Sequence, residues 1–162
     1  KNMPIKFHED VCVFSAAPIG HASQLGARRM SYNPQDLVRV DKKWSRPRKY
    51  ETEHGLTRDS HKLERVIEFD GYPKSILRFG NSDNRERGLH PTQKPVALME
   101  YLIRTYTQEG ETVLDNCMGS GTTGVAAMNL QREFIGIERE PKYFDIACRR
   151  IEDAQLKSRM FT

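Results

Sequence analysis

Val113 to Gly124 reads VLDNCMGSGTTG. Val113 and Leu114 close a short apolar run, as a buried strand does, and Asp115 stands where that strand should stop. Gly119-Ser120-Gly121-Thr122-Thr123-Gly124 then turns sharply into a helix. Glycine suits such a turn because it accepts φ > 0 and lets a ligand approach the backbone. The first N–H groups of the helix beyond it have no intrahelical acceptor, so they suit a ligand carboxylate or phosphate. The pattern is that of a cradle for a nucleoside cofactor.

Downstream, Thr122 to Leu130 reads as the helix of this motif, with Val125, Ala126 and Met128 available for packing. Phe134 to Glu138 (FIGIE) is the next strand and ends in an acid. Pro141 starts a last helix with Phe144, Ala147, Cys148, Ile151 and Ala154 on one face. Residues 112–155 therefore read strand-helix-strand-helix, the parallel unit of an α/β, Rossmann-like sheet. Upstream, Val96, Met99, Leu102, Ile103 and Tyr106 recur at helical spacing, and Gly110 is the stop signal. His90-Pro91-Thr92-Gln93-Lys94-Pro95 precedes them. Thr92 is the expected N-cap, and Pro95 suits a first helical turn. Two prolines, a Gln and a Lys in that order are more than a helix start needs.

Residues 28–88 show no sustained period, and Pro34, Pro47 and Pro73 interrupt them. Tyr32, Trp44, Tyr50 and Tyr72 are interleaved with bases there. Arg28 to Arg65 holds eleven basic and six acidic residues, whereas Glu109 to Asp153 holds nine acids and five bases. A basic middle and an acidic glycine-loop end suit a polyanion on one region and a small cofactor on the other. The alternative for the middle is a solvated insert. Asp10 to Ser15 (DVCVFS), behind His8-Glu9, is predicted to be a strand. Residues 16–27 read as small-residue loop, and Tyr72 to Phe79 (YPKSILRF) as a short edge strand.

The chain has 162 residues, enough for one domain or one domain with an insert. No apolar run approaches the roughly 20 residues of a membrane span. Cys12, Cys117 and Cys148 form no C-x-x-C, which suits reduced thiols in the cytoplasm. The five histidines lack metal-ligand spacing, so no metal is expected.

Gly119-x-Gly121-x-x-Gly124 alone matches a dinucleotide fingerprint. Glu138, 23 positions after Asp115, suits an acid on ribose hydroxyls in either an NAD-type or an S-adenosylmethionine-type site. Asp115 discriminates. In the dinucleotide fingerprint the strand runs almost directly into the first glycine, but here an acid and Asn116-Cys117-Met118 intervene. A carboxylate there fits a cofactor carrying an ammonium and a sulfonium better than one carrying a pyrophosphate. A P-loop fails because no G-K-[ST] follows.

DNCMGSGTTG, with HPTQKP before it and FIGIEREPKYF after it, resembles the DNA amino-methyltransferases of the β arrangement. That family methylates adenine N6 or cytosine N4. The resemblance covers nearly the whole chain. FHEDVCVFS is similar to its late catalytic-half strand, YNPQ (Tyr32 to Gln35) to the exit into its target-recognition region, and YPKSILRF to the end of that region. It implies a Rossmann-like methyltransferase fold with an incomplete sheet and an irregular basic insert. Residues 1–27 end the catalytic half, 28–88 form the recognition region and 89–162 bind S-adenosylmethionine. Asp115, Gly119, Ser120 and Gly121 would hold the methionine ammonium and carboxylate, with Thr122 and Thr123 capping the loop and contacting the carboxylate. Glu138 would bind the ribose. His90, Thr92, Gln93 and Lys94 would line the other side, and Asn116 and Cys117 replace the family's usual Pro-Phe near the adenine. Double-stranded DNA is the implied partner. Arg28, Arg29, Lys42, Lys43, Arg46, Arg48 and Lys49 are candidates for its backbone. Tyr32 and Trp44 are candidates for base or groove contacts, or equally for core.

The family's chemistry also needs a D-P-P-Y-type segment, whose polar side chain and proline carbonyl accept N–H bonds from a flipped base. No such segment stands among these residues, and Asn33-Pro34-Gln35 is no substitute. In the family that strand lies beside the Val113 strand. Its absence leaves backbone groups costing about 1–3 kcal/mol each where buried unpaired. The expectation is further polypeptide, in the same or another chain, or a second copy capping the sheet as a homodimer. By itself the chain is expected to be inactive. The rival readings are a catalytically dead DNA-binding remnant or accessory subunit, and an NAD-type oxidoreductase.

Overall fold

The computed structural model describes residues 9–15, 30–45, 64–80 and 89–160. In chain order its elements are β1 (Val38–Ser45), β2 (Glu64–Asp70), α1 (Val96–Tyr106), β3 (Thr112–Asp115), α2 (Thr122–Asn129), β4 (Glu133–Gly136) and α3 (Pro141–Met160). The architecture is α/β. β3 and β4 pair in parallel, Val113 opposite Phe134 and Asp115 opposite Gly136, with α2 as the crossover between them. Pairing runs one step past the strands, because the Ile137 N–H donates to the Asp115 carbonyl at 2.9 Å.

Helix α2 is the middle of the assembly: α1 and α3 pack on it, and it lies on both β3 and β4. Small residues permit this. Ala126 and Ala127 are fully buried, and with Ile103 they centre a core that Val96, Met99, Val113, Met128, Leu130 and Phe134 surround. Gly124 touches the other side. A Cβ there would come within 2.7 Å of the Phe134 ring and within 2.5 Å of Ile151 Cδ1. The opposite face of the parallel pair is open, with Leu114, Ile135 and Ile137 each more than half exposed.

Helix α1 begins one step later than the sequence suggests. Pro95 is its N-cap (φ −62°, ψ 136°), not a first-turn residue. Thr92 does not cap it. Its N–H and hydroxyl lie 3.2 and 3.1 Å from His90 Nδ1, closing a local turn instead. The helix ends at Thr107, ahead of Gly110, which takes φ +77° in the turn into β3. Asn33 closes that end. Its side-chain amide donates to the Arg104 and Thr107 carbonyls at 3.1 and 3.2 Å, and its N–H donates to the Thr105 carbonyl at 2.7 Å. Asn33 thereby satisfies carbonyls that every helix C-terminus leaves open. Arg132 ties the same end to α2 through Thr107 and the Leu130 carbonyl.

Three expectations need correction. Asp10 to Ser15 is not a strand: residues 9–15 have no regular structure, and Val11, Val13 and Phe14 are exposed. A β-rich composition alone makes no strand without a ladder to join. Tyr72 to Phe79 is not an edge strand either. Its Phe79 meets Tyr101 of α1 edge-on, with ring centroids 5.8 Å apart, so the segment docks on a helix rather than a sheet. The middle region, in turn, is less irregular than expected. β1 and β2 form an antiparallel ribbon, Val38 opposite Asp70 and Ser45 opposite Glu64. A bulge between Arg39 and Lys42, with Asp41 at φ 44°, breaks the two-residue alternation that would have announced it.

Asn33→Ala is expected to lower the unfolding free energy by about 1–2 kcal/mol, because it strands carbonyls and removes side-chain hydrogen bonds. Urea denaturation measures it; an unchanged midpoint would show that Asn33 does not hold α1.

Candidate cofactor site

The sheet sets the site, because both acids predicted for it stand at the carboxyl ends of adjacent parallel strands. Asp115 is the last residue of β3, and Glu138 follows β4 by two. Ligands in open α/β sheets bind in just this crevice. Each carboxylate grips the glycine loop between them. Asp115 Oδ2 accepts the Thr123 hydroxyl at 2.7 Å, and its Oδ1 accepts the Cys117 N–H at 3.1 Å. Glu138 Oε2 accepts the Gly119 N–H at 2.8 Å, while Oε1 accepts the Glu140 N–H at 2.9 Å.

The loop is closed by its own backbone. Met118 donates to the Ile137 carbonyl at 3.0 Å, and Gly121 donates to the Met118 carbonyl at 2.8 Å. Gly121 takes φ +77° at the N-cap of α2 and cannot be enlarged: a Cβ would stand 2.9 Å from the Ala147 Cα on α3. The first bond inside α2 runs from Val125 to the Gly121 carbonyl. The N–H groups of Thr122, Thr123 and Gly124 therefore precede any intrahelical acceptor. Ser120 and Thr122 are buried, and Asn116 and Cys117 are exposed at the lip.

The HPTQKP turn forms the facing wall. The His90 ring lies on the loop, close enough that a Cβ on Gly119 would touch it at 3.4 Å, and Gly119 itself takes φ +53°. Tyr143 of α3 backs that ring edge-on, 4.3 Å between centroids. His90 Nδ1 accepts from the Thr92 N–H, which leaves the proton of the neutral ring on Nε2. Gln93 sits in the same turn, its N–H on the His90 carbonyl and its Oε1 buried with no partner among the described residues. Lys94 is turned elsewhere: Nζ lies 2.7 Å from Glu9 Oε2.

The Glu138 carboxyl is held below its ordinary pKa, chiefly by the Glu140 N–H; burial opposes this as the next largest effect, and the Gly119 and Arg139 N–H groups and His90 add to the lowering. Among the described residues no group of His, Cys, Asp and Glu could hold a metal. The three cysteines are free thiols, and no described helix is long and apolar enough to cross a membrane.

Of the residues predicted for the cofactor, the structure brings together His90, Thr92, Gln93, Asp115, Asn116, Cys117, Gly119, Ser120, Gly121, Thr122, Thr123 and Glu138. Of those predicted for DNA, Lys42 and Lys43 are exposed on the ribbon, and the Trp44 backbone pairs with Arg65. Tyr32 rests on Tyr106 of α1, with centroids 6.2 Å apart. Arg28, Arg29, Arg46, Arg48 and Lys49 lie outside the described residues. Sequence reasoning missed Tyr143, Arg150 and the Glu9 partner of Lys94. Arg150 had a signal: it falls three residues after Ala147, on the buried face of α3.

A glycine loop gripped by two strand-end acids defines an α/β nucleoside-cofactor fold. The family model for DNA methylases matches residues 5–149, and the chain belongs to that family. It is 54% identical over 65 residues to the type II methyltransferase M2.DpnII of Streptococcus pneumoniae, covering 40% of this chain and 24% of that one. Against M2.MboI of Moraxella bovis it is 36% identical over 96 residues, covering 58% and 35%. The chain thus spans between a quarter and about a third of these two relatives' lengths. Among solved structures, the M1.HpyAVI–SAM complex is 32% identical with a TM-score of 0.45, covering 75% of this chain and 63% of that one. The cytosine-N4-specific PvuII DNA methyltransferase is 26% identical with a TM-score of 0.46, covering 54% and 38%.

Two outcomes are expected. Gly110 and Gly121 share φ +77°, but a Cβ on Gly110 meets nothing within 4 Å. Gly110→Ala should cost about 1 kcal/mol for the backbone alone, and Gly121→Ala about 3 kcal/mol, the excess being the clash with α3. Equal losses in chemical denaturation would refute the tight approach. The second concerns pH. Because folding lowers the Glu138 pKa, its stabilisation is present above the unfolded glutamate value and fades as pH falls through the folded one. Glu138→Gln should flatten the acid limb of a stability–pH curve there; a superimposable curve would show that its hydrogen bonds add nothing.

Proposed function

We propose that this chain is the recognition and cofactor portion of a site-specific DNA methyltransferase that uses S-adenosylmethionine. The methyl group goes to an exocyclic amino group of a flipped base, adenine N6 before cytosine N4, in duplex DNA of the cytoplasm. The observation that carries the reading is the pair of strand-end carboxylates, Asp115 and Glu138, each bonded to the same glycine loop. Their charge favours a cationic ligand and opposes a pyrophosphate. The residues present fit the cofactor. Gly119 leaves space against His90 that a side chain would fill, the Gln93 amide oxygen awaits a donor, and the start of α2 offers unpaired N–H groups.

In this reading Asp115 orients the ammonium end, and Ser120 and the start of α2 receive the carboxylate. Glu138 exchanges its Gly119 bond for the ribose hydroxyls. His90, Thr92 and Gln93 close the methionine side, with Lys94 reaching it only on leaving Glu9. When bound, the cofactor supplies an electrophilic methyl group. Residues 28–88 form the recognition region, and residues 1–27 end the catalytic half. The ribbon carries four bases (Arg39, Lys42, Lys43, Arg65) and four acids (Asp41, Glu64, Glu68, Asp70), with the base excess on β1. Arg39 is engaged by Asp41 at 3.0 Å, and the exposed Lys42 and Lys43 are the ribbon's candidates for phosphate. The D-P-P-Y acceptor for the base amine belongs to polypeptide outside these residues, in the same chain or a partner, and these residues alone bind without turnover.

Calorimetry with S-adenosylmethionine and NAD tests the reading. The first should bind and Asp115→Ala should weaken it by about tenfold or more, the scale of one lost charge-assisted contact. NAD binding in its place would overturn it in favour of an oxidoreductase. Lys42→Ala with Lys43→Ala should lower the salt slope of duplex DNA binding by about 2, near one per phosphate contact.

A further inference from the structure

The glycine loop is held from behind as well as from the cleft, by a residue 30 positions away. Arg150 lies on α3, half-buried. Its Nη1 donates to the Ser120 carbonyl at 2.5 Å and lies 3.3 Å from Ser120 Oγ and 3.4 Å from Thr122 Oγ1. The carbonyl is the strong contact, and the hydroxyls are secondary.

That carbonyl belongs to the Ser120–Gly121 peptide, and both ends of this unit are tied. Its oxygen is on Arg150, and its N–H, that of Gly121, is on the Met118 carbonyl. Gly121, at φ +77°, tolerates several orientations of the peptide before it. Without the guanidinium the plane could rotate and turn a carbonyl oxygen toward the start of α2. An oxygen there would face an incoming carboxylate and cancel the attraction of the helix N–H groups. A half-buried positive charge behind the loop adds to that attraction.

We infer that Arg150 is a positioning residue for the cofactor: it fixes the Ser120–Gly121 peptide so that the loop presents N–H groups, not a carbonyl, to a ligand carboxylate. The inference rests on the functional reading for the ligand, but not for the loop. A lysine in its place can donate to the carbonyl, but from a shorter arm and without the fixed plane that holds Nη1 on the carbonyl and beside both hydroxyls.

The test uses the complete polypeptide as wild type, Arg150→Met, Arg150→Lys and the control Arg149→Met, an exposed neighbour. Hydrogen–deuterium exchange without ligand reports on the loop. Amides of residues 117–124 should exchange faster in R150M and at an intermediate rate in R150K, with β3 and β4 unchanged. Calorimetry then reports on the ligand. S-adenosylmethionine affinity should fall about tenfold in R150M, recover in part in R150K and stay at the wild-type value in R149M. Adenosine, which lacks the carboxylate, should lose no affinity in R150M. Unchanged loop exchange, or equal losses for both ligands, would overturn the inference. If R150M does not fold, R150K decides by the same criteria. Wild type that binds no S-adenosylmethionine would sink the functional reading, and the exchange data would still judge the hold on the loop.

Discussion

Close approach at α2 is the constraint on which the rest depends. This helix has eight residues, too few to be stable by itself in water. It persists because four elements close on it, and they can close only because its inner positions carry almost no side chain. Gly121 meets Ala147, Gly124 meets Ile151 and Phe134, and Ala126 and Ala127 complete the core with Ile103. The glycines therefore have two roles at once. Those seen in sequence as a ligand turn are also the surface against which α3 docks.

This double use links packing to chemistry. α3 contributes Ala147 and Ile151 to the fit, Arg150 to the loop and Tyr143 to the imidazole. The two acids tie the same loop from the strand side. A loop with three glycines among six residues is thus tied from the strand ends and from α3, with much of its conformational freedom removed before a ligand arrives. Preorganisation of that kind lowers the entropy lost on binding.

The sequence disclosed what local rules govern. Asp115, the glycine turn and Glu138 could be placed because strand ends, φ > 0 and acid spacing each leave a mark in a short window. The family resemblance then ordered HPTQKP and the C-terminal motifs around them. Longer-range facts left weaker marks. The β1–β2 ribbon joins residues 19 to 32 positions apart, and its bulge erased the alternation. DVCVFS has strand chemistry but no ladder among the described residues. Asn33 looked like part of a loop motif, although its bonds go to a helix end 71 and 74 residues away. Arg150 sat among neighbouring charges, and only its place on the apolar face of α3 set it apart.

The hold of Arg150 on Ser120 also has a meaning in time. A ribosome releases the loop well before it releases α3, so the loop emerges without its rear support. Among the described residues, the contact that sets the Ser120 carbonyl from behind comes from α3. Strand β3 and helix α2 can gather early, but the cradle matures only when α3 folds back across them. Competence for a ligand is therefore acquired only after α3 has emerged and docked on the loop.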